Sequence, residues 1–410
     1  MGVVIVLDPG HGSDEYHGGE FGDYVEKDID LAVSKALKNR LEMYDNVKVY
    51  LTREEDINVD LKARADFAKA KNADYFFSIH FNMSSIHNYY GAEVWLSVDK
   101  SNYSKMYPAA SELMKNFDGI GLFNRGIKTR PGEHGDYYAV IRHCTNYGIP
   151  SCIIEHCHLD NVRDNSFLPL MNGKVSDEAL EFFGVTDADA IAKALNLKSS
   201  ILGVDYSGYK TDKANIKTSQ VLPDTQAPYN CQLSVSSVDA VNNTATINIH
   251  SETKSYLLYY QISTDGGKTY SELKEWPRSS WNKSSNDCEV LINVPSGKTI
   301  EVDAIVYNSY DVSSNCQPLT VVLPQTVNSA SKSSPVYEKE ITYDNQSITR
   351  VNEYNPVGNI IGNGLIRNGL LVFCILLLVI VSISTISLFR RRNKILKIRK
   401  GNNSDAKENN

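Results

Sequence analysis

The sequence predicts an α/β domain with a mixed open sheet and flanking helices, followed by a small all-β sandwich and one C-terminal transmembrane helix. Residues 1–198 alternate short apolar runs with helical periods. Residues 227–323 are rich in Thr, Val, Ile and Tyr with frequent turn signals, and residues 369–389 carry no charge. The net charge is -7 and the chain has no basic stripe with interleaved aromatic residues, so we expect no nucleic-acid partner.

The elements of the first domain follow from the spacing of its apolar residues. Ile29, Val33, Leu37 and Leu41 recur at helical spacing, and Asp60 is placed to cap a second helix. A closing helix is predicted near residues 186–196. Five apolar runs are predicted as strands: VVIVLD (3–8), VKVYLT (47–52), YFFSIH (75–80), AEVWLSV (92–98) and SCIIE (151–155).

The segments after the first domain differ from it in composition. Residues 199–226 are polar and unpatterned, which predicts a linker, and residues 227–323 are predicted to form a sandwich of the immunoglobulin or fibronectin III type. Residues 324–368 are predicted as a polar stalk. The cysteines define no disulfide framework, although two of Cys231, Cys288 and Cys316 could pair in an exported chain.

Residues 369–389 are long enough, at 1.5 Å per residue, to cross a bilayer core of about 30 Å. Seven basic residues lie within 390–400, whereas the fifteen residues before the apolar stretch contain only Arg367. By the positive-inside rule, residues 390–410 form a basic cytoplasmic tail and residues 1–368 lie outside a cell membrane that the chain crosses once. The start of the chain has no signal-peptide pattern, so we expect that the natural N-terminus is missing.

Polar residues at the ends of three predicted strands indicate a metal site. The first strand leads into His11, the third ends on His80 and the fifth ends on Glu155. In open α/β sheets, ligands bind at the carboxyl ends of the strands, and a catalytic zinc takes three ligands from His, Asp and Glu. His11 and His80 supply two of them. The spacing leaves the third ligand open among the acidic residues of the following loop, which are Asp14, Glu15, Glu20, Asp23 and Glu26.

Five short motifs occur in a fixed order: DPGHG (8–12), EKD (26–28), LTR (51–53), SIHFN (78–82) and IIE (153–155). Residues 3–196 thereby resemble the type-3 N-acetylmuramoyl-L-alanine amidase family. The resemblance implies that residues 1–198 form a zinc amidase domain acting on peptidoglycan, where it would cleave the amide bond between N-acetylmuramic acid and the L-alanine of the stem peptide. It also implies that His11, Glu26 and His80 bind Zn²⁺ and that Glu155 is the catalytic carboxylate.

One motif departs from the family pattern. The family often follows its glutamate with Gly-Phe, whereas Glu155 is followed here by His156, Cys157 and His158. These histidines could line the substrate groove, support the metal ligands or be ordinary polar residues. Residues 128–136 form a further polar loop that could border the cleft, and its His134 has no assigned role.

Two other functions are compatible with these residues. The first is a zinc peptidase acting within the stem peptide, which would use the same metal chemistry. The second is a non-catalytic wall-binding surface protein with a degenerate amidase domain, which the presence of all four site residues argues against.

We expect the sandwich to be a spacer or a wall-binding module without catalytic groups, and the amidase domain to lie at the cell wall.

Overall fold

A computed structural model describes residues 2–13 and 18–323, which contain a six-stranded sheet with helices on both faces and, after it, two packed antiparallel sheets. The strands of the first sheet are β1 (Val3–Pro9), β2 (Val47–Leu51), β3 (Tyr75–Asn82), β4 (Ala92–Leu96), β5 (Asn124–Thr129) and β6 (Ser151–His158). Their order in the sheet is β2-β1-β3-β6-β4-β5. Strands β2, β1, β3 and β6 are parallel, β4 is antiparallel to β6, and β5 is parallel to β4, so the sheet is mixed as predicted.

Helices cover the two faces of this sheet. The first, third and sixth helices pack together over one apolar core, while the second and fourth lie over the other. The helices are α1 (Glu26–Leu41), α2 (Leu61–Ala70), α3 (Lys100–Gly119), α4 (Ala139–Asn146), α5 (Val162–Asn165) and α6 (Asp177–Ala194). Four small hairpins complete this part: Glu20–Phe21 with Tyr24–Val25, Pro131–Gly132 with Gly135–Asp136, Leu170–Met171 with Lys174–Val175, and Lys198–Ser199 with Val204–Asp205.

Most of the predicted elements are present. All five predicted strands form, and the Asp60 carboxylate accepts hydrogen bonds from the backbone N–H groups of Lys62 and Ala63 at the start of α2. The closing helix begins earlier than predicted, because the Ser176 side chain accepts a hydrogen bond from the Ala179 N–H and caps it there.

Helix α3 and strand β5 are among the elements that were not predicted, and each has a physical reason. Helix α3 buries Met106, Leu113 and Phe117 at helical spacing but contains Pro108, a residue that normally interrupts a helix. Strand β5 has the polar sequence NRGIKT, and yet all six of its residues are buried. Its charged side chains are neutralised by partners distant in sequence, so no alternation of apolar and polar residues marks the strand.

Residues 199–226, predicted as a linker, connect the two parts and pack along the first. The Val221 N–H donates to the Val98 carbonyl at 2.8 Å, and the Thr129 hydroxyl donates to the Val221 carbonyl at 2.7 Å. Ala214 and Ile216 contact the main core. The α/β part and the following sandwich belong to one compact unit.

The sandwich forms as predicted from short antiparallel strands. One sheet contains β7 (Tyr229–Asp239), β8 (Thr244–Glu252) and β10 (Asp287–Asn293), and the other is built on β9 (Leu257–Ser263) and β11 (Thr299–Asn308). Gly266, Gly267 and Gly297 adopt positive φ in two of its turns. The six cysteines in the described part are free thiols. The remaining short strands are Lys274–Glu275, Arg278–Ser280, Lys283–Ser284, Ser313–Asn315 and Leu319–Val322.

The predicted stalk (324–368), transmembrane helix (369–389) and basic tail (390–410) lie outside the described residues. None of the helices between residues 2 and 323 that the structure describes has the length and apolar character needed to span a bilayer.

Candidate metal centre and catalytic edge

His11 lies in a loop whose backbone is held by two buried arginines. Its φ of 54° is in the left-handed region, which is uncommon for a residue other than glycine. Arg53 donates to the carbonyls of Pro9 at 3.1 Å and Gly10 at 2.6 Å. Arg64 donates to the carbonyls of Pro9 at 2.7 Å and His11 at 2.6 Å. These charge-assisted hydrogen bonds fix an otherwise unfavourable backbone and therefore the direction of the imidazole.

The Asp8 carboxylate anchors Arg64 beneath this loop. It accepts from Arg64 Nη1 at 2.8 Å, Thr52 Oγ1 at 2.5 Å and Ser78 Oγ at 2.7 Å, and both Asp8 and Arg64 are buried. The motifs DPGHG, LTR and SIHFN each contribute to this network, so part of their shared role is to hold the loop that carries His11.

His11, Glu26 and His80 converge on one point at the carboxyl edge of the sheet. Glu26 Oε1 lies 3.1 Å from His11 Nε2 and 3.2 Å from His80 Nδ1, and the two imidazole nitrogens are 3.2 Å apart. In a tetrahedral site with metal bonds of about 2.0–2.1 Å, ligand atoms lie about 3.3 Å apart. The three atoms therefore fit the spacing of zinc ligands. A Cβ on Gly10 would lie within 2.5 Å of His80 Nδ1, so only glycine leaves room for this ring.

Asp30 is a fourth member of this cluster that the sequence analysis missed. Among the residues described, His11, Glu26, Asp30 and His80 form a group whose ligand atoms all lie within 4.8 Å of one another. Asp30 follows Glu26 by one helical turn, and this i, i+4 spacing was the signal that could have found it. It is fully buried, and neither carboxylate oxygen has a hydrogen-bonding partner in the described structure. An unpaired carboxylate of this kind supports the presence of a cation beside it.

The pKa values of the cluster reflect its burial and its mutual contacts. Burial would raise the pKa of Glu26, but the hydrogen bonds with His11 and His80 outweigh it and lower that pKa to about 2. Burial lowers the pKa of His80, and burial together with the Glu26 and Glu155 charges raises the pKa of Asp30. A neutral His80 and an ionised Glu26 are the forms that bind a metal ion.

Glu155 lies on the strand next to His80 and outside the four-residue cluster. It is the register partner of His80 on β3 and of Glu93 on β4, so these three side chains project from one face of the sheet. Its Oε2 atom is buried and has no hydrogen-bonding partner within residues 2–13 and 18–323. Burial, with Glu26 and Glu93 nearby, raises the pKa of Glu155 well above its usual value. A carboxylate with a raised pKa is suited to accept and return a proton.

Of the other acidic candidates for the third ligand, the two that lie within the described residues do not join the cluster. Glu20 and Asp23 lie in the hairpin before α1, while Asp14 and Glu15 lie outside the described residues. In the same region the Gly19 N–H donates to Glu26 Oε2 at 2.6 Å.

The three histidines left open by the sequence lie elsewhere. His156 is buried beneath the sheet, with its imidazole 2.8 Å from Asp187 Oδ2 and 2.9 Å from the His80 carbonyl. His158 is buried with its Nδ1 3.2 Å from the Gly91 carbonyl, and burial lowers its pKa to about 3. His134 is exposed at the tip of the hairpin formed by residues 131–136. None of the three is part of the metal-binding group found in the described part of the chain.

Comparison with known proteins identifies similar sequences. The sequence profile of the N-acetylmuramoyl-L-alanine amidase family matches residues 5–176, a range that contains His11, Glu26, His80 and Glu155. The chain is 35% identical over 121 residues to the N-acetylmuramoyl-L-alanine amidase AmiC of Escherichia coli, covering 29% of this chain and 28% of that protein. It is 30% identical over 198 residues to the endolysin of Bacillus phage SPP1, covering 48% of this chain and 68% of the endolysin.

Among solved structures, Cwp6 from Clostridium difficile aligns with a TM-score of 0.43 and 28% identity, covering 48% of this chain and 30% of Cwp6. The alignments with AmiC of Escherichia coli and AmiC of Neisseria meningitidis span 28% and 31% of those relatives. The family match over residues 5–176 lies within the α/β part of this chain, and the chain spans less than a third of the length of these two relatives.

Proposed function

The chain belongs to the N-acetylmuramoyl-L-alanine amidase family, and on this premise we propose that it hydrolyses the amide bond between N-acetylmuramic acid and the L-alanine of the stem peptide in peptidoglycan. The observation that carries the proposal is the convergence of His11 Nε2, Glu26 Oε1 and His80 Nδ1 within 3.2 Å of one another. Two imidazoles and a carboxylate are the ligands of many hydrolytic zinc sites.

His11, Glu26 and His80 would hold Zn²⁺, and the buried carboxyl group of Asp30, which has no hydrogen-bonding partner in the described structure, lies beside them. When bound, zinc supplies Lewis-acid activation of water and of the scissile carbonyl. The chain keeps its ligands in place through the arginine contacts to the His11 loop and through the Gly19 N–H on Glu26.

Glu155 would act as the general base and then as the general acid. Its place next to His80 puts a carboxylate of raised pKa at the same sheet edge. In the proposed reaction, Glu155 takes a proton from the attacking water, the water oxygen bonds to the carbonyl carbon, and the carbon–nitrogen bond breaks. The proton then passes from Glu155 to the leaving nitrogen of L-alanine, which regenerates the carboxylate.

Mass spectrometry of muropeptides digested with the zinc-loaded full-length protein tests this proposal. We expect stem peptides with a free L-alanine amine, lactyl groups left on the sugar, and intact cross-links between peptides. Cleavage within the stem peptide would instead indicate a zinc peptidase. A folded, zinc-loaded protein that releases neither product would indicate a wall-binding protein without catalysis.

We further propose that the enzyme is anchored to the cell membrane by residues 369–389, with its catalytic part facing the cell wall. The support is the charge-free apolar stretch and the basic residues that follow it. External protease on intact cells should release the catalytic part. Access of the protease only to residues after 390 would mean that the topology is inverted.

A further inference from the structure

The sandwich docks on β5, the edge strand of the α/β sheet, through buried polar groups. The Tyr259 hydroxyl donates to the Tyr90 carbonyl at 2.5 Å, and the Tyr256 hydroxyl donates to the Arg125 carbonyl at 2.9 Å. Arg278 donates to the Asn124 carbonyl at 2.7 Å. Tyr259 is fully buried. A flexibly tethered spacer would have no need of such contacts, because its polar groups would remain hydrated.

A charge cluster at the centre of this interface contains two acids and two bases. The Glu93 Oε2 atom accepts from Arg125 Nε at 2.7 Å and from Lys128 Nζ at 2.6 Å, and all three side chains are at most 3% exposed. Arg125 Nη2 donates to Asp311 Oδ2 at 2.6 Å, and Arg125 Nη1 donates to the Tyr259 hydroxyl at 3.0 Å. Asp311, whose side chain is 26% exposed, is the one charged member of this cluster that the sandwich supplies, and it brings the net charge of the cluster to zero.

The register of the strands places Glu93 of this cluster beside Glu155. His80, Glu155, Glu93 and Gly126 occupy matching register positions on β3, β6, β4 and β5, so they form one row across the sheet. The register shifts between Ala92 and Glu93, which leaves Arg125 as an extra residue in β5 opposite Glu93. A bulge of this kind re-aims a side chain.

The sandwich also occupies the end of this row. A Cβ on Gly126 would lie 2.0 Å from the Tyr256 hydroxyl and 2.9 Å from the Trp281 ring, so these two side chains take the space that a Gly126 side chain would fill. The row therefore runs without interruption from the metal cluster to the sandwich.

Both carboxylate oxygens of Glu93 accept two hydrogen bonds each. Its Oε1 atom accepts from Asn82 Nδ2 at 3.2 Å and from Trp95 Nε1 at 3.1 Å, and Asn82 lies two residues after His80 on the same face of β3. A shift of Glu93 would therefore move both strands that flank Glu155. Because buried charges must be paired, the position of Glu93 depends on Arg125, and that of Arg125 on Asp311.

We propose that the sandwich turn at residues 308–312 is a positioning element of the active site. In this role, Asp311 fixes the positions of Arg125 and Glu93, and thereby the position of the strand that carries Glu155. The role rests on the proposed amidase function. It departs from the expectation that the sandwich is only a spacer or a wall-binding module. Asp311 is a positioning residue that does not touch the substrate.

The exchange Asp311→Asn in the full-length protein tests this role. The amide is close in shape to the carboxylate but leaves the buried cluster with a net positive charge. We expect kcat on a soluble muropeptide to fall about 10- to 100-fold, as for a catalytic group displaced by about 1 Å, with KM and zinc content unchanged. Asp311→Glu, which restores the charge, should recover part of the lost kcat.

Glu275→Gln is the matched control. Glu275 pairs with Arg163 across the same interface, but both side chains are more than 40% exposed and neither contacts Glu93. Exposed ion pairs contribute little to stability, so this variant should keep kcat within twofold of the wild-type value. If Asp311→Asn does not fold, Tyr259→Phe provides the second test, because it removes a hydrogen bond to Arg125 and keeps the ring.

The outcomes separate the two proposals. A folded Asp311→Asn protein with a lower melting temperature and a wild-type kcat would show a merely structural contact and overturn the positioning role alone. A loss of zinc in parallel with kcat would also overturn it, because the effect would then act through the metal ligands. An inactive wild-type protein would overturn the proposed function and the positioning role together.

Discussion

Replacing Glu155 with glutamine should strongly lower turnover without releasing the metal. The amide keeps the shape of the side chain and removes the proton acceptor. Lost general-base catalysis typically lowers kcat by about 10²- to 10⁴-fold. By transition-state theory this corresponds to about 3–5 kcal/mol of lost stabilisation. Zinc should remain, because Glu155 is not one of the four residues whose ligand atoms cluster within 4.8 Å.

The same change at Glu26 should instead lower the amount of bound zinc. Glu26 Oε1 is within 3.2 Å of both imidazole nitrogens, so Glu26→Gln replaces an anionic metal ligand by a neutral amide, which binds zinc more weakly. Bound zinc and activity should then fall together.

Zinc content by elemental analysis and kcat on a soluble muropeptide, measured on the same preparations, distinguish the two variants. Glu181→Gln, an exposed position on α6, is the control and should change neither value. If Glu155→Gln purifies without zinc while Glu26→Gln retains it, the ligand and the base have been exchanged and the assignment is wrong.

Three further predictions follow from other contacts. His80→Ala should lower zinc content and kcat in parallel, and retention of stoichiometric zinc would contradict its role as a ligand. Asp187→Asn replaces the carboxylate whose Oδ2 atom lies 2.8 Å from the imidazole of the fully buried His156, and it should lower the free energy of unfolding in urea by about 1–3 kcal/mol. A change below about 0.5 kcal/mol would show that this contact does not stabilise the fold. The hydrogen bond with Cys316 lowers the pKa of Cys231 to about 7, so alkylation of Cys231 should increase as pH rises through 7, and Cys316→Ala, which removes the donor, should move this midpoint upward. A midpoint near 8.5 in the wild-type protein would exclude the contact.

The elements predicted correctly are those whose stability comes from apolar burial close in sequence. VVIVLD and YFFSIH form central strands because nearly every side chain is buried, and a continuous apolar run marks such a strand directly. Strand β5 could not be found in this way. Its Arg125 and Lys128 are buried only because Glu93 and Asp311 neutralise them, and Asp311 lies 186 residues away in the chain.

The sequence predicted the edge of the sheet at which the candidate site lies, but it did not predict every residue of the site. Placing His11, His80 and Glu155 at strand ends requires only the strand pattern and the rule for open sheets. Choosing Glu26 from five acidic residues required the family resemblance, because the loop between β1 and α1 has no periodicity that orients its side chains. Asp30 was missed although the helix that carries it was predicted, because its i, i+4 spacing from Glu26 becomes informative only after Glu26 has been chosen as a ligand.

The departure from the family pattern after Glu155 affects the side of β6 that faces the helices. His156 points away from Glu155, because successive residues of a strand alternate between faces. Its ring stacks on Phe81 at 4.7 Å between centroids and contacts Phe117 of α3 and Phe183 of α6. The register then shifts between Glu155 and His158, so the departure ends in an irregularity of the strand. A histidine in place of glycine therefore changes the packing beneath the sheet and leaves the face that carries Glu155 and His80 in the same register.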